Sequence, residues 1–493
     1  MIDGLKPYPA YRDSGVPWLG KVPAHWDTRR IRAVANLLVS NVDKHTIGGE
    51  LAIRLCNYVD VYKNARISDG LAFMRASATS DEIARFRLKI GDVLITKDSE
   101  LWNDIGVPAL VGYEAPDLVC GYHLAILRAL ENTIIGRYLF RTIQSVGVAS
   151  QFHVAANGVT RFGLSHQAIK DVRLPVPSLP EQHAIAHFLD YVDGRIRRYI
   201  AAKKKLVALL NEQKQAIINR AVTRGLDPNV RLKPSGVEWL GDVPEHWEVK
   251  RLKQVITRVE QGWSPQCDAQ PATEDEWGVL KVGCVNKDYF DATQNKKLPV
   301  TLQPVPALEV ENEDILVSRA NTRELLGLAA LAVEPRRKLM LCDKLFRFRA
   351  LPQRALPQFL VHAIRGKTSR AQIESSTNGA SDSMQNIGQG VIRNLYLALP
   401  PLYEQRAIVS VIAQEVRSIQ ALASQTEREI ILIREYRTRL IADVVTGKLD
   451  VREAAARLPE EVEEPELEDV GEESPEGEEE EVDQEAALEE VMA

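Results

Sequence analysis

The chain has 493 residues, enough for two to four domains, and 45% of them are hydrophobic, as in an ordinary soluble globular protein. No stretch approaches 18 consecutive apolar residues and the N-terminus lacks an apolar signal segment, so we expect no membrane association and a cytoplasmic location. The five cysteines are isolated, with no CxxC pair, which argues against a disulfide framework or a metal site such as a zinc centre.

Charge is distributed unevenly along the chain. The net charge is −6, but 18 of the 68 acidic residues and none of the 62 Lys and Arg lie between Pro459 and Ala493. The preceding 458 residues therefore carry 62 basic against 50 acidic side chains. A body this positive is compatible with a nucleic-acid partner, and also with the ordinary basic surface of a large soluble protein.

An internal duplication organises the chain. SGVPWLGKVPAHWDTRRIR (residues 14–32) recurs as SGVEWLGDVPEHWEVKRLK (235–253) with 11 of 19 positions identical, and we call these the front segments. LPVPSLPEQHAI (174–185) recurs as LALPPLYEQRAI (397–408), and we call these the back segments. The middle of each half diverges. Matched ends around divergent middles indicate one scaffold that presents two different surfaces, because simple decay after duplication would not spare the ends so selectively.

The front segments are rich in residues that break regular structure. Proline and glycine accompany two tryptophans in each copy, which predicts an irregular segment anchored on a core by its aromatic side chains. We expect His25 and His246 to be structural as well, since no Ser, Cys or acidic partner recurs with them in a recognisable catalytic arrangement. The tryptophans are Trp18 and Trp26 in the first copy and Trp239 and Trp247 in the second.

The middles alternate short strand-like runs with helical candidates. DVLIT (92–96), ALVGY (109–113) and DILVS (314–318) have the composition of buried strands. GRYLFRTIQSV (136–146) and LPQFLVHAIRG (356–366) have helical spacing. Compact α/β or α+β domains are therefore predicted for both middles.

Each back segment leads into a long helix. No proline occurs from Glu181 to Leu226, or from Glu404 to Thr446, and apolar residues recur there close to heptad spacing. Each helix of about 40 residues would be about 60 Å long. Such helices cannot bury an apolar stripe alone, so we expect them to pack on each other.

The C-terminal stretch 455–493 is predicted to be an acidic, disordered tail. A solubilising extension is the simpler interpretation, and an autoinhibitory mimic of nucleic acid is the alternative.

Motifs for catalysis were sought and none was found. The sequence has no P-loop, no dinucleotide-binding glycine motif, no nucleophile elbow, no HExxH and no Asn/Asp-Pro-Pro-aromatic signature of a base methyltransferase. Several independent absences agree, so a non-catalytic binding module is predicted.

Together these features resemble the specificity subunit of type I restriction–modification systems. The resemblance is carried by two segments of the form SGVxWLGxVPxHW, two of the form LxxPxLxEQxAI, and long helices ending in VTRGLD (222–227) and VTGKLD (445–450), and it covers residues 11 to about 452. It implies duplicated target recognition domains of α/β (α+β) type, joined by two long antiparallel coiled-coil helices into pseudo-twofold half-molecules. The implied order is a first recognition domain in 1–180, a first spacer helix in 181–226, a second recognition domain in 227–402, a second spacer helix in 403–447 and the tail.

The resemblance also implies function and partners. Each recognition domain would read one half of a bipartite double-stranded DNA target. Two methyltransferase subunits and restriction–translocase subunits would dock on the chain. No cofactor would be bound by this chain, whereas S-adenosylmethionine and ATP would belong to the partner subunits.

DNA contacts are predicted in loops that follow a strand common to both middles. Lys and Arg suit phosphate or guanine, and Asn suits adenine. A structural role remains the alternative for any single residue. The candidates in the first middle are Lys97, Asp98, Ser99, Trp102, Asn103, Asn157 and Arg161, and those in the second are Arg319, Asn321, Thr322, Arg323, Asn378, Ser381 and Gln385.

Two other classes of function stay open at this point. One is a self-contained nucleic-acid-modifying enzyme whose motifs are unrecognised, and the other is a duplicated interaction scaffold that does not bind DNA. Methyl transfer or cleavage by the isolated chain would favour the first.

Overall fold

A computed structural model describes residues 5–376 and 385–459. The chain forms two compact units, one from Met1–Lys204 together with Glu427–Ala493 and the other from Lys205–Thr426. Each unit contains the divergent middle of one half of the chain together with parts of both long helices. The unit boundaries therefore fall within the long helices and not between the domains predicted from the sequence. Candidates Asn378 and Ser381, and the tail beyond Pro459, lie outside the described residues.

The first unit contains a mixed α/β domain at the place where the resemblance implies the first target recognition domain, and we keep that name for it and for its counterpart in the second unit. Its helices are α1 (Tyr58–Lys63), α2 (Ser80–Phe86), α3 (Gly136–Ile143), α4 (Val146–Ala155), α5 (His166–Asp171) and the start of α6 (Leu179–Arg224), with a 3-10 helix at Ile31–Ala33. Its strands are β1 (Tyr11–Asp13), β2 (Lys21–Pro23), β3 (Asp27–Arg30), β4 (Ala35–Val39), β5 (Leu51–Cys56), β6 (Arg66–Ile67), β7 (Met74–Ala78), β8 (Val93–Thr96), β9 (Asp98–Ser99), β10 (Pro108–Val111), β11 (Leu118–Cys120), β12 (Leu124–Ala129), β13 (Asn157–Gly158), β14 (Phe162–Gly163) and β15 (Arg173–Val176).

The second unit repeats this plan. Its strands are β16 (Leu232–Pro234), β17 (Asp242–Pro244), β18 (Glu248–Arg251), β19 (Glu260–Gln261), β20 (Gly278–Leu280), β21 (Asn295–Lys297), β22 (Ile315–Ser318), β23 (Ala320–Asn321), β24 (Ala329–Leu331), β25 (Leu339–Met340), β26 (Leu345–Phe348), β27 (Gln385–Asn386) and β28 (Tyr396–Leu399). Its helices are α7 (Pro357–Arg365), α8 (Lys367–Glu374), α9 (Gln389–Asn394) and the start of α10 (Leu402–Val445), with 3-10 helices at Leu252–Gln254, Val282–Val285 and Pro306–Leu308. The short α11 (Arg452–Ala455) belongs to the first unit.

The strand order is the same in both recognition domains, except that the edge strand β6 of the first main sheet has no counterpart in the second. The main sheet runs β4-β12-β8-β10-β6 in the first and β19-β26-β22-β24 in the second. A three-stranded sheet accompanies each, β11-β5-β7 and β21-β20-β25. The central strands β8 and β22 are fully buried runs of apolar and β-branched residues, which suit the middle of a sheet covered on both faces. The fold prediction of duplicated α/β domains is confirmed.

The front and back segments of each half meet in the structure. β3 of the front segment pairs antiparallel with β15 of the back segment, and β18 pairs with β28 in the same way. His25 lies 3.2 Å from the Glu181 carboxylate, and His246 lies 2.8 Å from that of Glu404. The histidines therefore do have a recurring acidic partner, which the sequence comparison missed because the partner lies in the other segment.

Only one tryptophan of each front segment is an anchor. Trp26 and Trp247 are 1% and 0% exposed in the cores of their units. Trp18 and Trp239 are 47% and 42% exposed. The expectation that all four tryptophans anchor the segment was wrong for this second pair, because burial depends on which side of the turn faces the core.

The glutamine of the EQ motif explains why the motif recurs. Gln182 is fully buried; its Oε1 accepts from the Ile135 amide at 3.0 Å and its Nε2 donates to the Thr133 and Pro177 carbonyls at 3.0 and 2.9 Å. It therefore ties the start of α6 to the chain entering α3, satisfying buried backbone groups that would otherwise be costly.

Gln405 does the same in the second unit. Its Oε1 accepts from the Leu356 amide at 2.8 Å and its Nε2 donates to the Arg354 and Pro400 carbonyls at 3.1 and 2.9 Å. The motif therefore fixes each recognition domain on the first turn of its long helix.

The long helices run antiparallel within each unit. In the first unit Lys203 of α6 pairs with Glu429 of α10 at 2.8 Å, and Asp193 pairs with Arg437 further along. In the second unit Leu210 of α6 packs with Ile419 and Ala423 of α10. The 46 and 44 residues of these helices correspond to about 69 and 66 Å.

A buried ion cluster joins the helices to the first recognition domain. Asp193 is 4% exposed and contacts Arg437 of α10, Arg141 of α3 at 3.1 Å and Arg197 at 3.2 Å. Burial alone would raise the pKa of the Asp193 carboxyl, but the three guanidinium groups together lower that pKa well below its usual range. The carboxylate stays ionised, which is what allows three cations to converge on it.

The predicted start of the acidic tail at residue 455 was too early in the sequence. Residues Ala455 to Leu458 belong to or follow α11, where Ala455 is 5% exposed and packs in the core of the first unit. The segment before Pro459 is thus part of the folded body.

Candidate nucleic-acid interface

In the first recognition domain, strand pairing joins the two candidate loops. β9 carries Asp98 and Ser99, β13 carries Asn157, and β14 between them pairs with both in the order β13-β14-β9. Arg161 lies in the hairpin turn just before β14. Residues about 60 positions apart in the sequence therefore form one cluster.

Glycine closes this hairpin. Gly158 has φ +155°, and a Cβ placed there would lie 1.9 Å from the Arg161 carbonyl oxygen. Any larger residue would push the two sides of the turn apart. The tip beyond it is prominent, since Val159 is 93% exposed.

Asp98 is the centre of the cluster. Its Oδ1 accepts from Nη2 and Nε of Arg161 at 2.6 and 3.2 Å, and Nδ1 of His123 lies 2.9 Å from its Oδ2. The hydrogen bond to Asp98 raises the pKa of the Arg161 guanidinium, so this side chain is a permanent cation. The Asp98 side chain is only 18% exposed, whereas that of Arg161 is 53% exposed.

Aromatic side chains surround the ionic centre. Tyr122 is exposed and its ring centroid lies 3.6 Å from that of His123, while Nζ of Lys97 lies 6.0 Å from the Tyr122 ring. Trp102 is 53% exposed and meets His153 edge to face at 6.3 Å, where burial lowers the pKa of His153. Exposed cations beside aromatic rings are suited to nucleic-acid contacts.

The other candidates of this domain differ in access. Asn103 and Asn157 are exposed, and Asn157 Nδ2 donates to the Ala155 carbonyl at 2.9 Å. Ser99 is buried and its hydroxyl lies 3.4 Å from the Leu101 amide, so it supports the loop rather than its surface.

The second recognition domain brings its candidate loops together in the same way. β23 pairs with β27, with Asn321 opposite Gln385. Asn321 Nδ2 lies 3.3 Å from the Asn286 Oδ1, and its own Oδ1 accepts from the Thr322 amide at 2.9 Å. Thr322 is partly exposed. Gln385 is 8% exposed, so little of it reaches the surface.

The arginines of this domain hold different positions. Arg319 Nη1 donates to the Asp343 carbonyl at 3.2 Å, and its guanidinium lies 5.7 Å from the Phe346 ring. Arg323 is exposed, and its carbonyl accepts from Arg370 at 3.0 Å. The loop cluster of the second domain is thus also formed by polar and cationic side chains, but these differ in type from the side chains at the equivalent places in the first domain.

The backbone around both clusters is the same although the side chains differ. The Lys97 amide donates to the His123 carbonyl at 3.0 Å and its carbonyl accepts from Leu164 at 2.8 Å. The Arg319 amide donates to Lys344 at 2.9 Å and its carbonyl accepts from Ile387 at 2.9 Å. One loop framework therefore presents two sets of side chains.

Sequence reasoning missed the third segment of each cluster. His123 and Tyr122 precede β12, and Asp343 and Lys344 precede β26, so these pairs are equivalent. The signal was present in the alignment of GYHLAILRA (121–129) with CDKLFRFRA (342–350), but without strand pairing nothing connected these residues to the candidate loops.

The part of the chain that the structure describes shows neither a group of metal ligands nor a helix suited to cross a membrane. In 5–376 and 385–459, no three His, Cys, Asp or Glu side chains are grouped so that they could hold a metal ion. Over the same ranges no helix combines the length and apolar character needed to cross a membrane.

Comparisons with known proteins agree with this architecture. The family described as "Type I restriction modification DNA specificity domain" matches residues 25–206. The type I restriction enzyme EcoEI specificity subunit of Escherichia coli is 32% identical over 187 residues, which cover 38% of this chain and 32% of that protein. The type I restriction enzyme MjaVIII specificity subunit of Methanocaldococcus jannaschii is 21% identical over 440 residues, covering 88% of this chain and 95% of that protein.

A solved structure shares the fold. A chain from a study of assembly and conformational transition in the type I R-M system superposes with a TM-score of 0.62 and 17% identity, covering 87% of this chain and 99% of that chain. Two equivalent α/β domains with matched loop clusters, combined with a pair of long helices, define a duplicated two-domain protein. Residues 25–206 thus match the type I restriction–modification specificity family, and over most of its length the chain is similar to type I restriction enzyme specificity subunits.

Proposed function

We propose that this chain is the DNA-recognition subunit of a type I restriction–modification enzyme. Each recognition domain reads one half of a bipartite double-stranded DNA target through its loop cluster. The observation that carries the proposal is one backbone framework, built twice, with different polar and cationic side chains at equivalent places. Different half-sites require different base-contacting side chains, whereas the scaffold that holds them can stay the same.

The catalytic steps belong to partner subunits in this proposal. The chain itself is non-catalytic, and two methyltransferase subunits that use S-adenosylmethionine, together with restriction–translocase subunits that use ATP, act at the site that it selects. The absence of recognisable catalytic motifs from the sequence supports this division of labour.

The test compares the full chain alone with the chain co-expressed with its methyltransferase subunit. We expect no methyl transfer and no cleavage by the isolated chain, and methylation of one bipartite sequence in cells that express both. Methylome sequencing identifies that sequence. Robust cofactor-dependent turnover by the isolated chain would favour a self-contained enzyme, and a complex that neither binds nor methylates DNA would favour a scaffold.

A further inference from the structure

We propose that Arg161 reads a guanine in the first half-site and that Asp98 is its positioning residue rather than a base contact. This inference rests on the proposed function and adds the chemistry of one contact. It corrects the simplest view of the loop, in which every exposed polar residue near β9 touches DNA.

The first observation is the orientation of the guanidinium group. Asp98 engages Nε and Nη2, the side edge of Arg161. Nη2 also lies 3.2 Å from Nδ1 of His123, but that nitrogen donates to the Asp98 carboxylate and so cannot accept from Nη2. Among the described residues Nη1 has no hydrogen-bond partner, so the end of the group, with Nη1 and the second hydrogen of Nη2, is available. Two parallel donors at the end of an arginine match the O6 and N7 acceptors that guanine presents in the major groove.

The second observation is that Asp98 is committed elsewhere. Both of its oxygens are engaged: Oδ1 accepts from Arg161, and Nδ1 of His123 lies 2.8 Å from Oδ1 and 2.9 Å from Oδ2. The Asp98 side chain is only 18% exposed. A carboxylate that reads a base must accept a hydrogen bond from cytosine N4. Neither oxygen of Asp98 is left accessible for such a bond. Asp98 instead restricts the rotation of the long Arg161 side chain, whose ordering would otherwise cost entropy on binding.

The third observation is the platform that carries Arg161. The hairpin of β13 and β14 is closed by Gly158 and joined to β9, so the backbone on either side of Arg161 is held by strand pairing. The neighbouring Val159 is 93% exposed, so the turn projects from the domain. A side chain whose backbone is held in place and whose cationic end is exposed has the geometry that a specific contact with a nucleobase needs.

The experiment uses the full chain in complex with its methyltransferase subunit. Methylome sequencing of the wild type gives the bipartite site, and competition binding then compares that duplex with duplexes in which each base pair is replaced in turn. Arg161→Ala and Arg161→Lys should both lose about 5- to 150-fold discrimination at one G·C pair of the first half-site. Arg161→Lys keeps the charge, so the salt dependence of its binding should stay as in the wild type.

Asp98→Asn separates positioning from reading. It should reduce discrimination at the same base pair by a smaller factor, about 3- to 10-fold, because a neutral amide holds the guanidinium less firmly. The matched control is Asp117→Asn, which weakens a similar arginine pair with Arg54 (2.8 Å) outside the cluster and should leave every base preference unchanged. Unaltered discrimination in the second half-site shows that each variant is folded.

Several results would overturn the inference. If Asp98→Asn altered a different base pair from Arg161→Ala, Asp98 would itself be a base contact. If Arg161→Ala weakened all duplexes equally and lowered the salt dependence, Arg161 would bind phosphate. A wild-type complex with no bipartite site would refute the proposed function and this inference together, whereas a bipartite site indifferent to Arg161 would refute only the inference.

Discussion

The glutamine of the EQ motif gives a prediction whose magnitude follows from three hydrogen bonds. Gln182→Met keeps the length of the side chain but leaves the Ile135 amide and the Thr133 and Pro177 carbonyls without this partner in a buried place. An unsatisfied buried group costs about 1–3 kcal/mol. Allowing for partial relaxation, we expect the free energy of unfolding of the first unit to fall by about 3 kcal/mol.

Hydrogen–deuterium exchange measures this effect locally. About 3 kcal/mol corresponds to roughly 100-fold faster exchange of amides protected by unfolding of the first unit, including the Ile135 amide. Peptides from the second unit should keep their protection. Gln405→Met should speed the exchange of the Leu356 amide and of the second unit, while peptides from the first unit keep their protection. In the double variant the two losses of unfolding free energy should add, because the glutamines belong to different compact units.

The control is Gln213→Met, at an exposed position of α6, which should change stability by less than about 0.5 kcal/mol. If Gln182→Met were equally mild, the hydrogen bonds would not be what the EQ motif contributes. The same conclusion would follow if both units lost protection to the same extent.

Three further predictions address the frame and the recognition domains. Gly447 and Gly225 both have φ +74°, but a Cβ at Gly447 would lie 2.3 Å from Pro23, whereas a Cβ at Gly225 would come no closer than 3.0 Å to any atom. Gly447→Ala should therefore lower the melting temperature more than Gly225→Ala. Equal shifts in the two melting temperatures would contradict the clash. Because the folded pKa of Asp193 is lowered, its contribution to stability is fully present above the unfolded value of about 4 and is lost progressively as pH falls from there through the lowered folded pKa. Asp193→Asn should therefore destabilise by about 3 kcal/mol at pH 7 and by less near pH 3.5 in thermal unfolding, and a difference independent of pH would argue against the ion cluster. Exchanging residues 33–173 for the middle of a related protein should change one half-site in the methylome, and a change in both would rule out independent recognition domains.

The duplication and the long helices could be predicted from the sequence because both are local properties. The helical spacing after Glu181 and Glu404 needs no partner to be recognised, and the helices found at Leu179–Arg224 and Leu402–Val445 lie close to the predicted ranges. The strand common to both middles was recognised for the same reason, as a buried apolar run. The predicted DNA contacts themselves stay predictions.

Tertiary structure alone decided which side chains meet. Asp98 and Arg161 are 63 positions apart and His123 lies between them in the sequence. Their cluster exists only because β9 pairs with β14 and because the Lys97 amide, next to β9, donates to the His123 carbonyl. Trp18 and Trp26 stand in one repeated motif, yet Trp18 is exposed and Trp26 is buried, because the motif does not specify which side of its turn faces the core. Local patterns specify elements because backbone geometry repeats at fixed spacing, whereas contacts between distant residues depend on how the whole set of strands pairs and packs.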